Sequence, residues 1–203
     1  VNGDGYADVV VGSPLYDGAL VDIGRAQVFI GAPGTGSHLV TAYRTYDGTQ
    51  AGAQLGFSLH TGGDVNGDGI SELLLGIPEF ATSAGRVQVY HGGPDLPTTP
   101  TAPVWSQQPD VANAQMGASV DHAGDVNGDG YADVIVGLPG LNEVRVYYGG
   151  PAGLLSTYWS AFGSSAGEEF GYDVSSAGDV NGDGYSDVII GAYAYSTYQG
   201  RAY

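Results

Sequence analysis

The sequence predicts an all-β protein, a β-propeller of four-stranded antiparallel blades, from three observations. The segment Gly-Asp-Val-Asn-Gly-Asp-Gly occurs at residues 63–69, 124–130 and 178–184, and a shortened copy opens the chain. Each copy is followed by the same order of short segments, rich in β-branched and aromatic residues and bounded by turn-forming residues. No convincing helical apolar period is present. Repeats of about 55–64 residues that each supply four strands are typical of propeller blades.

Each repeat predicts four strands, labelled A to D in chain order. Strand A is the short alternating segment before the acidic loop. Strand B is the continuous apolar run after it, as in residues 71–78 or 132–139, and such a run suits a buried strand. Strand C alternates, with Val87 and Val89 apolar between polar neighbours, and suits a position further out. Strand D centres on three segments, residues 43–46, 104–107 and 158–161.

The repeats divide the chain into two complete and two partial blades. We expect residues 1–50 to form a blade without strand A, 51–111 and 112–165 to form complete blades, and 166–203 to form a blade without strand D. A β-sandwich with chance similarity between turns is disfavoured by the four registered copies, and a β-solenoid by the length of the period. Because partial blades expose strand edges, we expect a fragment of a longer protein. The alternative is that copies of the chain associate to complete the ring.

The amino-acid composition excludes several classes of binding partner and of chemistry. The formal net charge of −17 at pH 7 argues against nucleic acid and against anionic membrane surfaces. There is no cysteine, hence no disulfide framework and no thiolate chemistry. No apolar run approaches the about 18 residues that indicate a membrane-spanning helix, so no membrane insertion is expected.

The repeated acidic segment specifies more than a tight turn, which would need only Asn-Gly or Asp-Gly. Counting from Asp64, oxygen-bearing side chains fall at the first, third, fifth and ninth positions. Glycine at the sixth position permits a sharp reversal, and the seventh residue can offer its backbone carbonyl. The candidate metal ligands are Asn2, Asp4, Tyr6 and Asp8; Asp64, Asn66, Asp68, Ile70 and Glu72; Asp125, Asn127, Asp129, Tyr131 and Asp133; and Asp179, Asn181, Asp183, Tyr185 and Asp187.

An all-oxygen, partly anionic set of this kind favours Ca²⁺, with up to four sites, the first incomplete within the chain. Mg²⁺ is less suited because it requires a strict octahedron, and zinc is disfavoured because no histidine or cysteine joins the loops. Half of the 22 acidic residues crowd into these loops, where they would repel one another without a cation. An EF-hand is excluded because its twelfth position, which requires glutamate, holds Leu75, Val136 or Ile190.

The order of motifs resembles the FG-GAP repeat of integrin α-chain β-propellers and their bacterial and fungal relatives. The FG element is present at Gly56, Gly117 and Gly171, and the GAP element at residues 12–14, 76–78 and 137–139, with a departure at 191–193. The resemblance covers essentially the whole chain. It implies a seven-bladed, calcium-bearing propeller, of which about half is present, used for adhesion or ligand binding outside the cell.

Ligand recognition is expected on the loops opposite the calcium loops, because a rigid scaffold commonly carries function on its loops. Aromatic residues there suit a protein or glycan ligand, the alternative being packing over neighbouring blades. These candidates are Tyr16, Phe80, Tyr193, Tyr195 and Tyr198. Other residues recur at equivalent strand positions and are interpreted as structural: Trp105 and Trp159, and Arg25, Arg86 and Arg201.

No catalytic residue is expected. The histidines do not repeat together, and none lies in a Ser/His/Asp or metal-ligand pattern; they are His38, His60, His91 and His122. We therefore expect a non-enzymatic, calcium-stabilised binding or adhesion module that is secreted or displayed at the cell surface. The alternatives are the propeller portion of a secreted enzyme, a lectin-type sugar-binding protein, and an architectural repeat of a surface filament.

Overall fold

The computed structural model describes residues 1–33, 42–94 and 101–203, and the described residues form four antiparallel sheets. The first sheet has the order β1 (Val9–Ser13), β2 (Arg25–Phe29), β3 (Arg44–Asp47). The second has the order β4 (Leu59–Thr61), β5 (Leu73–Ile77), β6 (Arg86–Tyr90), β7 (Trp105–Gln107). His38 lies outside the described residues.

The other two sheets follow the same pattern. The third has the order β8 (Val120–Gly124), β9 (Asp133–Leu138), β10 (Glu143–Tyr147), β11 (Tyr158–Phe162). The fourth has the order β12 (Phe170–Gly178), β13 (Asp187–Ala192), β14 (Arg201–Ala202). The all-β fold of three- and four-stranded propeller blades is thus confirmed, while the blade boundaries within the chain stay a prediction.

Burial along the strands follows the sequence pattern. Every residue of β5 and β9 is buried, as their continuous apolar runs predict. In β6, Val87 and Val89 are buried and Gln88 between them is half-buried, so this strand alternates. The second strand of the second and third sheets thus lies between two strands and is covered by both adjacent sheets.

The core consists of apolar layers between successive sheets. Among the described residues, one cluster joins the first and second sheets, with Val28 and Leu75 among its members. A second joins the second and third sheets through Trp105 and Tyr147, whose rings meet edge to face at 4.8 Å. A third joins the third and fourth sheets. Each sheet therefore buries its apolar faces against its neighbours, as in other repeat architectures.

The two tryptophans, which recur at one strand position, differ in burial in this chain. Trp105 is buried against Tyr147 of β10, in the next sheet. Trp159 of β11 is 47% exposed.

The FG and GAP glycines meet at the junctions between sheets. Gly56 and Gly117 have left-handed backbone angles, with φ of 80° and 86°. A Cβ added to Gly12 would overlap the carbonyl oxygen of Gly56 in the next repeat, and a Cβ added to Gly76 would overlap that of Gly117. Glycine is therefore required on both sides of the contact, once for backbone conformation and once for space.

Helical structure in the described residues is confined to single turns. They lie at Phe80–Ser83, Pro139–Leu141 and Tyr195–Tyr198, each between the second and third strands of its sheet. The first and last contain residues with left-handed angles, such as Thr82 (φ 57°) and Thr197 (φ 57°). None of these turns has the length and apolarity needed to cross a bilayer, and the rest of the described chain holds no such helix.

The junction contact predicts a position-specific effect of adding one methyl group. We expect Gly76→Ala to lower the free energy of unfolding by about 1–3 kcal/mol, the usual cost of overpacking a dense interior, measured by urea denaturation. Gly191→Ala is the matched control, because its Cβ would meet nothing closer than Asp173 O at 3.5 Å. That variant should stay within about 0.5 kcal/mol of the unsubstituted chain. Equal losses in both variants would contradict this role of the junction glycine.

Candidate functional site

The acidic loop between the first and second strands of a repeat is curled around one aspartate. The Asp64 carboxylate accepts hydrogen bonds from the backbone N–H groups of residues 67–69 at 2.7, 3.0 and 2.7 Å. Asp125 and Asp179 accept the equivalent three bonds at 2.7–3.1 Å. Consecutive N–H groups that point at one carboxylate hold that side chain inside the loop.

The asparagine and the second aspartate of each loop bond to each other. Asn66 donates from Nδ2 to Asp68 Oδ2 at 3.0 Å, and Asn66 Oδ1 accepts the Asp68 N–H at 2.8 Å. Asp68 Oδ1 accepts the N–H of Ile70 at 2.9 Å. The same side-chain pairing occurs in the other three copies: Asn2–Asp4, Asn127–Asp129 and Asn181–Asp183. The third and fifth positions are therefore adjacent in every loop.

The acid at the ninth position ties each loop to the strand that follows. Glu72 and Asp133 are fully buried, at 0% exposure. Each accepts the N–H of the valine after the first loop aspartate at 2.9 Å, and Asp187 does the same. Asp133 also accepts the N–H of Gly149 at 2.9 Å, and Asp8 accepts the corresponding bond in the first repeat. These acids close the loops.

Burial disfavours the ionised form of two loop acids, Asp133 and Glu72. Burial raises the pKa of Asp133, two backbone N–H groups oppose that shift, and the charges of Asp129 and Asp125 add to it. Burial likewise raises the pKa of Glu72; the Val65 N–H and His91 oppose the shift, and the charge of nearby Asp68 adds to it. A cation close to these carboxylates would favour their ionised forms.

The acidic loops also connect neighbouring sheets. The Asp64 carbonyl accepts the N–H of Ala132 at 3.0 Å, and the Asp125 carbonyl accepts the N–H of Ser186 at 2.9 Å. Side chains at the seventh position pack on the fourth-position glycine of the preceding loop, where a Cβ would come within 2.6–2.9 Å of them: Ile70 on Gly3, Tyr131 on Gly67 and Tyr185 on Gly128. Successive loops thus form one continuous rim of the sheet stack.

Ligand atoms of the loops are near one another but do not form a tight group of three histidine or carboxylate residues. In the described part of the chain, such a group, with all ligand atoms within 4.8 Å, occurs only at His60, Asp121 and His122. In the loops, the first aspartate is held by backbone N–H groups and the fifth-position aspartate by asparagine.

The predicted ligand-binding aromatics fall into two sets. In three repeats, the arginine that opens strand C (β2, β6 or β14) stacks on one of these rings, which explains why that arginine recurs. The guanidinium carbon lies 3.7, 3.6 and 4.6 Å from the ring centroid in the pairs Arg25–Tyr16, Arg86–Phe80 and Arg201–Tyr195. One face of each of these three rings is therefore occupied by the protein itself.

Tyr193 and Tyr198 make a different arrangement. Tyr193 stacks on Tyr172 at a centroid distance of 4.9 Å and meets Tyr198 edge to face at 5.5 Å. Tyr193 and Tyr198 are 52% and 70% exposed, and all three tyrosines line one surface cavity with Asp173 and Arg201. This exposed aromatic cluster includes Tyr172, which the sequence analysis did not single out.

Among the described residues, one compact group of potential ligands was not predicted from the sequence. His60 Nε2 lies 3.1 Å from Asp121 Oδ1, and His122 Nδ1 lies 2.9 Å from the same oxygen. Burial acts to raise the pKa of Asp121, but hydrogen bonds from His122 and Ser175 outweigh it, aided by the nearby histidines, and lower the pKa to about 2. Aligning the repeats on their acidic loops would have placed His60, Asp121 and Ser175 at one position of neighbouring strands.

Comparison with known proteins agrees with this architecture. An FG-GAP-like repeat model matches residues 64–136, and an FG-GAP repeat model matches residues 170–203. Integrin alpha-3 of Cricetulus griseus is 28% identical over 200 residues, covering 92% of this chain and 18% of the relative. Integrin alpha-IIb of Homo sapiens is 30% identical over 217 residues, covering 94% and 20%. Integrin alpha-PS2 of Drosophila melanogaster is 31% identical over 168 residues, covering 72% and 12%.

The fold, the acidic loops and these matches together define the class of protein. The chain is an FG-GAP repeat domain of the integrin alpha type. It spans 20% or less of the length of the three relatives named above.

The hydrogen bonds of Asp133 predict a structural role that is separable from metal binding. In buffer containing EDTA, we expect Asp133→Asn to lower the free energy of unfolding by about 1–3 kcal/mol. An amide has one oxygen, so it leaves either the Val126 or the Gly149 N–H facing an NH₂ group. Urea denaturation provides the measurement.

Asp187→Asn serves as the control, because Asp187 is half-buried and its carboxylate accepts the Val180 N–H, which an amide oxygen can still accept. We expect a change within about 0.5 kcal/mol. A loss in this variant as large as that in Asp133→Asn would refute the distinction between the two loops.

Proposed function

We propose that the chain is a calcium-stabilised adhesion-type module that acts outside the cell and binds a protein or a glycan. The observation that carries this proposal is the recurrence of an acidic, oxygen-lined loop at each junction between sheets. The loop aspartates Asp64 and Asp125 accept backbone hydrogen bonds from the next repeat. A cation held there would stiffen both the loop and the contact between two sheets.

The donor chemistry of the loops fits calcium. Carboxylate, amide and carbonyl oxygens are the ligands that Ca²⁺ prefers, and they are supplied by the residues named above in each of the four copies. The raised pKa values of Glu72 and Asp133 also fit, because burial and neighbouring acids disfavour the ionised form of both carboxyl groups. When bound, calcium would supply a positive charge that favours the ionised form. A cation that binds only the folded state stabilises it by about 2.7 kcal/mol per site at a hundredfold excess over its Kd.

The proposed ligand surface lies on the turns that connect strand B to strand C in each repeat. Those turns are at the opposite ends of the strands from the acidic loops, because successive connections of an antiparallel sheet alternate between its two ends. Tyr193 and Tyr198 are the stronger candidates, since both are exposed. Tyr16, Phe80 and Tyr195 are the weaker candidates, because an arginine covers one face of each ring. Phe80 and Tyr195 also pack against the apolar clusters between sheets. Further blades of a longer chain, or a second copy, are the proposed partners of the outer sheets.

A non-enzymatic role is part of the proposal. Ser175, Asp121 and His60 lie together, but the serine hydroxyl donates to the aspartate at 2.6 Å, and the histidine contacts the other carboxylate oxygen. A nucleophilic serine requires the histidine next to its hydroxyl.

The second candidate function is sugar binding of the lectin type, in this chain or as part of a larger secreted enzyme. The stacked and exposed Tyr172–Tyr193 pair favours it, because aromatic faces pack well against sugar rings.

Binding of the chain to immobilised matrix proteins and glycans tests the proposal. We expect at least one ligand to be retained in Ca²⁺ and lost in EDTA, with Mg²⁺ giving little recovery. The double variant Tyr193→Ala/Tyr198→Ala should weaken that binding by about 10-fold or more, as loss of an aromatic hot spot does. Phe162→Ala, an exposed aromatic outside these loops, should leave it unchanged.

Circular dichroism in each buffer verifies that the chain stays folded. Ligand binding that is equally strong in Ca²⁺ and EDTA would contradict the calcium requirement, and loss of binding in Phe162→Ala alone would place the surface elsewhere. Turnover of a glycan or peptide by the unsubstituted chain would favour an enzyme.

A further inference from the structure

A second, chemically different group of ligands lies away from the acidic loops. His60 belongs to β4 in the second sheet, and Asp121 and His122 belong to β8 in the third. These strands are the first strands of their sheets and contact each other. One ligand atom from each of the three residues falls within a group no wider than 4.8 Å. The group therefore bridges two blades.

The carboxylate at the centre of this group is held from several directions. Asp121 Oδ1 faces both imidazoles, at 3.1 Å from His60 Nε2 and 2.9 Å from His122 Nδ1. Asp121 Oδ2 accepts the Ser175 hydroxyl at 2.6 Å and the Ser176 N–H at 3.3 Å, both from β12 in the fourth sheet. Such outer partners orient a metal-binding carboxylate and are a regular part of metal sites.

The two imidazoles remain accessible. The His60 and His122 side chains are 35% and 40% exposed, whereas that of Asp121 is 11% exposed. Their rings stack at a centroid distance of 4.9 Å and an interplanar angle of 16°. Nδ1 of His60 is buried and has no hydrogen-bond partner, so the Nε2 contact with Asp121 is what orients this ring.

We propose that His60, Asp121 and His122 form a binding site for a divalent transition metal of the zinc class, which links the second and third sheets. Two imidazole nitrogens and one carboxylate oxygen are a ligand set that zinc accepts, leaving a fourth position for water. Metal–ligand bonds of about 2.0–2.1 Å in a tetrahedron place ligand atoms about 3.3 Å apart. The observed separations of 2.9 and 3.1 Å from Asp121 Oδ1 need only a small expansion.

The metal would lie where the two nitrogens now face one oxygen. The two ring nitrogens lie no more than 4.8 Å apart and reach the metal by rotation of the rings about χ2. The site is independent of the calcium loops, since it uses nitrogen ligands, which suit transition metals, whereas calcium takes oxygen. The ligands of the proposed site also lie on strands, whereas those of the calcium loops lie mostly in turns.

Isothermal titration of Zn²⁺ into the chain, kept saturated with Ca²⁺, tests the proposal. We expect one zinc equivalent to bind the unsubstituted chain. The variants His60→Asn and His122→Asn should each weaken that binding by more than about 10-fold, since loss of even an outer-shell partner costs about 10–100-fold. His91→Asn is the control: His91 contacts the loop acid Glu72 at 3.4 Å and lies outside the site, so zinc binding should persist.

A second measurement does not depend on the variants. In long-range ¹H–¹⁵N spectra of the calcium-loaded, unsubstituted chain, Zn²⁺ should shift the imidazole signals of His60 and His122 and leave those of His91 in place. Absence of zinc binding would overturn the proposal. So would binding that is unchanged in the double variant His60→Asn/His122→Asn, or imidazole shifts confined to His91.

Discussion

The structure depends on contact between neighbouring sheets, because a single sheet cannot bury its own apolar faces. Residues of β5 and β9 are buried throughout because a sheet lies on each side of them. The backbones must approach closely for that, and glycines such as Gly76, against the carbonyl of Gly117, permit it. Each junction thus combines an apolar layer, a glycine contact and an acidic loop. The stability of one blade is therefore inseparable from that of its neighbours, as in repeat proteins generally.

The two ends of the sheets differ in chemistry. One end carries acidic loops whose carbonyls, as at Asp64 and Asp125, accept bonds from the next repeat. The other end carries turns in which arginines stack on Tyr16 and Phe80. A rim fixed by cations and cross-repeat hydrogen bonds would hold the opposite turns in constant geometry. A binding surface gains affinity from such rigidity, because little conformational freedom is lost when a ligand binds.

The sequence predicts most of the strands and loops because the repeat places them in register. Glycine, acid and apolar positions recur, and their spacing alone locates β5, β9 and the loops between them and the preceding strands. The sequence could not predict contacts between side chains that occupy the same repeat position but differ in residue type. His60, Asp121 and Ser175 occupy the same position in three successive repeats, yet they are an imidazole, a carboxylate and a hydroxyl. They meet because the first strands of neighbouring sheets lie side by side.

Amide hydrogen exchange of the EDTA-treated chain, with and without Ca²⁺, tests the central claim that cations at the acidic loops fasten neighbouring sheets. Calcium should slow exchange in residues 64–72, 125–133 and 179–187. The range 125–133 includes the Ala132 amide, which bonds to Asp64, and 179–187 includes the Ser186 amide, which bonds to Asp125. Mg²⁺ at the same concentration should have little effect. Identical exchange with and without calcium, in a chain shown to be folded and metal-free, would contradict the account.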